Sequence, residues 1–74
     1  KSLNLFDLIF LDPPYADKDY IKILKLISIN KIFKKDHLVI IHREINSKEN
    51  LEKILKILFI KDYGRSRIIF GTFI

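Results

Sequence analysis

The run Phe6-Asp7-Leu8-Ile9-Phe10-Leu11 is nearly all apolar and stops at Asp12-Pro13-Pro14. A short, continuous apolar run bounded by breakers reads as a strand buried on both faces. Proline has no N–H to give to a ladder, so the strand ends where the prolines begin. This junction restricts the chain to folds in which a buried strand delivers a stiff corner to the rim of a sheet.

Alternation follows. Tyr20, Ile23, Leu24 and Ile27 fall at i, i+3, i+4 and i+7, one apolar stripe of a helix. Asp17 or Asp19 can cap it, because a short carboxylate accepts the orphan N–H groups of a first turn. Leu38-Val39-Ile40-Ile41 reads as a second buried strand, ending in His42-Arg43-Glu44. Ser47 can cap a second helix, with Glu49 in its first turn and Leu51, Ile54, Leu55 and Leu58 as its stripe. Phe59-Ile60 and Ile68-Ile69-Phe70 flank Asp62-Tyr63-Gly64-Arg65-Ser66, which reads as an antiparallel hairpin. Strand, helix, strand, helix, hairpin predicts an α/β fold of parallel strands with an antiparallel C-terminal hairpin.

That sheet looks incomplete. A buried parallel strand needs neighbours on both sides, and the Phe6 strand leaves one edge open and apolar. The expectation is that residues 1–74 are a single partial domain, with further strands before Lys1. The absence of methionine fits the same expectation of a processed or partial chain.

Composition sets the partners. With 74 residues the chain makes one domain at most, and a chain of this size buries only about 60% of its unfolded surface. Fourteen Lys+Arg against nine Asp+Glu give a net charge of +5, which favours phosphate-rich partners. Cysteine is absent, which excludes disulfides and thiolate metal sites and fits a reducing compartment. His37 and His42 have no ligand-like spacing to a paired acid, so no metal is expected. No apolar run approaches the ~20 residues that span a bilayer, so no membrane partner is expected. Gly64 and Gly71 are the only glycines, so a Gly-rich phosphate loop cannot be built from this chain.

The chemistry concentrates at Asp12-Pro13-Pro14-Tyr15. In open α/β sheets ligands bind outside the carboxyl ends of the strands. Two prolines hold the Pro13 carbonyl as a rigid, unpaired acceptor pointing into the crevice, and the Asp12 carboxylate is a second one. Two convergent acceptors suit an –NH2 group, which has two hydrogens to give. Tyr15 offers a ring for a planar heterocycle, a contact worth ~1–3 kcal/mol per base. A base presented in this way must be unpaired or flipped out. The alternative is a plain strand-ending turn, with Asp12 capping and Tyr15 packing.

The segment Phe6–Tyr15 resembles motif IV of the amino-group methyltransferases that use S-adenosylmethionine. With Tyr63-Gly64-Arg65-Ser66-Arg67, the chain is most similar to the bacterial 16S rRNA (guanine-N2)-methyltransferase family, over the C-terminal half of that family only. The resemblance implies a Rossmann-like methyltransferase sheet. It implies that Asp12, Pro13 and Tyr15 hold the guanine amine and Pro14 shapes the turn. It implies S-adenosylmethionine as cofactor, bound mostly by an N-terminal half absent here, without which this chain is inactive. An upstream segment or a separate chain would supply that half. The implied partner is rRNA or the assembling small subunit, in the cytoplasm. His42, Arg43 and Arg65 are further candidates for substrate contact, against a simpler reading as solvated polar residues. The family tends to place an acid before the histidine at the second strand's end, where this chain has Ile41. DNA adenine-N6 methyltransferases also carry Asp-Pro-Pro-Tyr, so DNA methylation is an alternative. An inactive remnant, or an RNA-contacting piece without catalysis, is another.

Overall fold

The computed structural model describes residues 5–14 and 16–74. Strand β1 (Phe6–Leu11) leads to helix α1 (Tyr20–Asn30), which returns the chain to strand β2 (Phe33–Glu44). Strands β3 (Leu55–Tyr63) and β4 (Ser66–Phe73) complete a four-stranded sheet of order β1-β2-β4-β3. Only β1 and β2 run parallel; β2–β4 and β3–β4 are antiparallel. The sheet is therefore mixed, with one parallel crossover rather than a run of them.

Helix α1 buries Tyr20, Leu24 and Ile27, as the stripe predicts, whereas Ile23 turns outward and is exposed. Neither aspartate caps it through its side chain. Asp19 occupies the cap position in helical backbone geometry, and the Asp17 carboxylate instead accepts the Asp19 N–H at 2.8 Å. The helix closes at Lys31, whose backbone is left-handed (φ 52°). There Lys31 N–H donates to Ser28 O and Ile32 N–H to Ile27 O, the paired bonds of a Schellman ending.

The core lies on one face of the sheet. Ile9, Val39, Ile41, Leu55 and Phe73 meet α1 and Leu51 there. Along β2, His37, Val39, Ile41 and Arg43 alternate inward with period two. Gly71 sits where a Cβ would come 2.7 Å from the Lys56 carbonyl oxygen, so β3 and β4 close up only with glycine there. The hairpin turns through Gly64 at φ 59°, the positive φ that a two-residue loop needs.

Two further expectations fail. No second helix forms over residues 47–58. Leu51 O accepts from Ile54 N–H and Leu55 N–H, a single turn, and the chain then enters β3. A helix of about twelve residues is marginal without packing on both flanks of its stripe. Here β4 offers a free edge, and Ile57, Phe59 and Ile60 suit a pleated strand better than a helix. In this arrangement Leu51 and Leu55 are buried, and Leu58 stays exposed.

The second failure concerns β1, which is not covered on both faces. Only Ile9 is buried, while Phe6, Leu8 and Phe10 are 47%, 55% and 60% exposed. Helix α1 lies on one side, and the other side is an apolar row: Phe10 pairs with Ile40, Ile40 with Phe70, and Phe70 with Phe59. As expected, β1 is an edge strand. No helix among the described residues is long and apolar enough to cross a membrane.

Candidate functional site

Leu11 pairs with Ile41, so β1 and β2 reach the same end of the sheet together. Asp12, Pro13 and Pro14 leave β1 there, and His42, Arg43 and Glu44 continue β2 beside them. Asp12, Pro13, His42, Arg43 and Glu44 line one small cleft. Tyr15, the predicted stacking ring, lies outside the described residues.

The Asp12 carboxylate is exposed, and its Oδ1 lies 2.8 Å from His42 Nδ1. With the ring proton on Nδ1 the imidazole donates to the carboxylate, which orients Asp12 and leaves its remaining lone pairs for another donor. The sequence marked both residues without pairing them, because 30 positions separate them.

Arg43 behaves differently from a phosphate-seeking surface arginine. It is 3% exposed, and its Nε donates to Glu49 Oε1 at 2.9 Å. Tyr20 Oη donates to the same oxygen at 2.8 Å, and the guanidinium carbon lies 4.8 Å from the Tyr20 ring centroid. Arg43 Nη1 reaches back to the corner, 3.5 Å from Pro13 O and 3.3 Å from Pro14 O. Pro14 O also accepts from Asp17 N–H at 3.0 Å. Arg43 is thus a buried residue and not a solvated one, with its charge facing inward onto Glu49 and the corner's backbone. The Pro13 carbonyl is likewise not unpaired as expected. Its contact with Arg43 is long, however, and a carbonyl has a second lone pair for a ligand.

The charge state of this cluster follows from its surroundings. Burial by itself would raise the Glu49 carboxyl, but hydrogen bonds from Tyr20 and Arg43, with the charges of Arg43 and Lys18, outweigh it and hold Glu49 below the usual carboxylate range. For Tyr20, burial first and then the bond to and charge of Glu49 push the phenol well up, against the opposing charge of Arg43. A carboxyl depressed in the folded state stabilises the fold above its unfolded value, and that contribution disappears as pH falls through the folded one. Unfolding midpoints should therefore drop with acidification below about pH 4.5, the ordinary value for Glu49. The Glu49→Gln protein should show a shallower drop in the same titration. Asp62, also held low by Arg67, keeps the residual slope from vanishing.

The remaining candidates resolve more simply. Arg65 is exposed at the hairpin tip, and its carbonyl accepts from Ile45 N–H, so it sits at the same end of the sheet as Asp12. Arg67 is engaged in a two-point bond to Asp62 at 2.7 and 2.9 Å. His37 is buried, with Nδ1 2.7 Å from Lys34 O and Nε2 accepting from Phe73 N–H at 2.9 Å. Both its nitrogens serve the fold. Among the described residues no group of three or more His, Asp or Glu could hold a metal ion. Glu49 and Tyr20 were missed as site residues. Their spacing looked helical, and no local signal links them to Arg43 or to each other.

Comparison with known proteins identifies the family. The model of the family described as Conserved hypothetical protein 95 matches residues 1–72. The chain belongs to that family. It is 35% identical over 69 residues to the "uncharacterized methylase RP545" of Rickettsia prowazekii (strain Madrid E), covering 92% of this chain and 29% of that protein. A conserved hypothetical protein from Streptococcus pyogenes superposes with a TM-score of 0.80 at 25% identity, over 95% of this chain and 44% of that one. A Haemophilus influenzae protein provisionally named a methylase shares the fold, with a TM-score of 0.76 at 21% identity over 96% and 44% of the two chains. The chain thus spans under a third of the curated relative and under half of these structures.

Proposed function

We propose that this chain is the part of an S-adenosylmethionine-dependent methyltransferase that receives the amine, and that its target is the exocyclic N2 amine of a guanine in small-subunit rRNA. The observation that carries the reading is the Asp12–Pro13 corner: a carboxylate oriented by His42 beside a rigid carbonyl, at the carboxyl end of a sheet strand. The methylase names borne by the relatives and the net charge of +5 support it.

The chain's own residues have a defined task. Asp12 and the Pro13 carbonyl accept the two hydrogens of the amine. Accepting both turns the nitrogen lone pair away from the heterocycle and out of conjugation. When the nitrogen gains a methyl group it becomes cationic and loses a proton, and Asp12 is placed to take it. Tyr15 would stack on the base. S-adenosylmethionine supplies an electrophilic methyl group when bound. Gly64 lies in a hairpin turn and Gly71 beneath the Lys56 carbonyl, so the chain contains no glycine cradle for that cofactor. In this reading the cofactor is held mostly by the portion of the relatives that this chain does not span.

The test is methyl transfer by the complete natural polypeptide carrying this sequence. Unmodified small-subunit rRNA should accept label on guanine N2, and duplex DNA should not. Label on adenine N6 of DNA would replace this reading with the DNA alternative, and no transfer to either would leave a binding piece without catalysis.

A further inference from the structure

We infer that Arg43 is a positioning residue, locked by Glu49 and Tyr20, that sets the direction of the Pro13 carbonyl at the amine-accepting corner. This rests on the function proposed above and deepens it: it names what aims the acceptor.

A corner with two successive prolines has given up two backbone N–H groups, so no ladder bond can anchor it through its nitrogens. Its carbonyls can be held only by donors from elsewhere, and two such donors are present among the described residues. Asp17 N–H fixes Pro14 O from the chain just ahead, and Arg43 Nη1 lies within 3.5 Å of both Pro13 O and Pro14 O from across the sheet. One nitrogen close to two consecutive carbonyls constrains the peptide between them.

Such a donor is useful only if it is itself immobile. The Arg43 side chain is 2% exposed and its partner Glu49 8%. The Nε–Glu49 bond, the Tyr20 bond to the same oxygen and the Tyr20 ring against the guanidinium hold it from three directions. These contacts come from the first turn of α1, the end of β2 and the loop after β2. The planar fork of arginine serves Glu49 with one nitrogen and the corner with another, which a lysine ammonium on a flexible stem cannot do in one geometry. The competing account is a core ion pair that only stabilises the fold. It leaves the approach of Nη1 to the two carbonyls without a purpose, and it makes a different prediction.

The complete natural polypeptide is compared with its Arg43→Lys, Glu49→Ala and Glu49→Gln forms, all well below their melting temperatures. Positioning predicts that Arg43→Lys lowers kcat about tenfold or more while KM for the cofactor stays within about twofold. It also predicts a smaller loss for Glu49→Gln, which keeps an acceptor oxygen, than for Glu49→Ala. A second readout needs no activity. Proline labelled with 13C at the carbonyl and 15N marks the Pro13 carbonyl through its bond to the Pro14 nitrogen, the signal being assigned by its loss in a Pro14→Ala protein, and Arg43→Lys should move that resonance. A folded Arg43→Lys protein with kcat within about twofold of the parent, or with the Pro13 signal unmoved, overturns the inference. A role in stability alone lowers the melting temperature and leaves kcat intact. If the parent transfers no methyl group, the functional reading fails separately and the carbonyl resonance decides the role of Arg43. If Arg43→Lys does not fold, the order of the two Glu49 forms and their Pro13 signals decide it.

Discussion

Asp12→Ala should lower kcat for methyl transfer by about 10²–10³-fold in the complete polypeptide, the scale reached when one preorganised polar contact to the reacting group is lost. The side chain is exposed, and among the described residues its bond is to His42. Removing it therefore costs little folding energy, because a surface pair of this kind contributes about 0–1 kcal/mol. The melting temperature should stay near that of the parent, and so should the dissociation constant for S-adenosylmethionine, since in the proposed function Asp12 accepts from the amine and does not hold the cofactor. Asp12→Asn is the sharper control. It keeps an acceptor oxygen for one amine hydrogen but cannot take the product's proton, so it should fall between parent and alanine form. Equal turnover by the parent and Asp12→Ala proteins would remove the carboxylate from the chemistry.

The second large effect concerns assembly. A preparation of these 74 residues alone should self-associate at concentrations on the order of 100 µM. Strand β1 is an edge strand with Phe6, Leu8 and Phe10 exposed, and the row Phe10–Ile40–Phe70–Phe59 crosses all four strands on the face opposite α1. An apolar face this continuous, next to an unpaired strand edge, is a template for further pairing. Sedimentation should show species heavier than the 8.8 kDa chain. A Leu8→Lys/Phe10→Lys double substitution should shift the distribution toward monomer, because it places charge on both the edge and the face. A monomer with a sharp cooperative melt would contradict the expectation.

Much of this was legible residue by residue. The apolar run closed by Asp12-Pro13-Pro14 announced β1 and its corner, since proline's missing N–H is a local property that no tertiary context restores. The stripe of Tyr20, Leu24 and Ile27 announced α1, and Gly64 announced a hairpin turn. The misreading of residues 47–58 has an equally plain cause. Leu51, Ile54, Leu55 and Leu58 satisfy a helical period, but a period is only a preference, and the free edge of β4 offered a full ladder to the same residues. The outward turn of Ile23 shows the same limit, because a stripe wider than its contact leaves one margin wet.

What the order of residues determined by itself is local: where strands must stop, which short segment can only be a stiff corner, and that a carboxylate stands beside it. What only the tertiary structure decided is who touches that corner. His42 meets Asp12 across 30 positions, and Tyr20 meets Glu49 across 29. Arg43 turns from a candidate surface cation into a buried one. The reason is that burial and pairing depend on which elements lie side by side, and sheet order is settled by competition among distant edges rather than by any one segment.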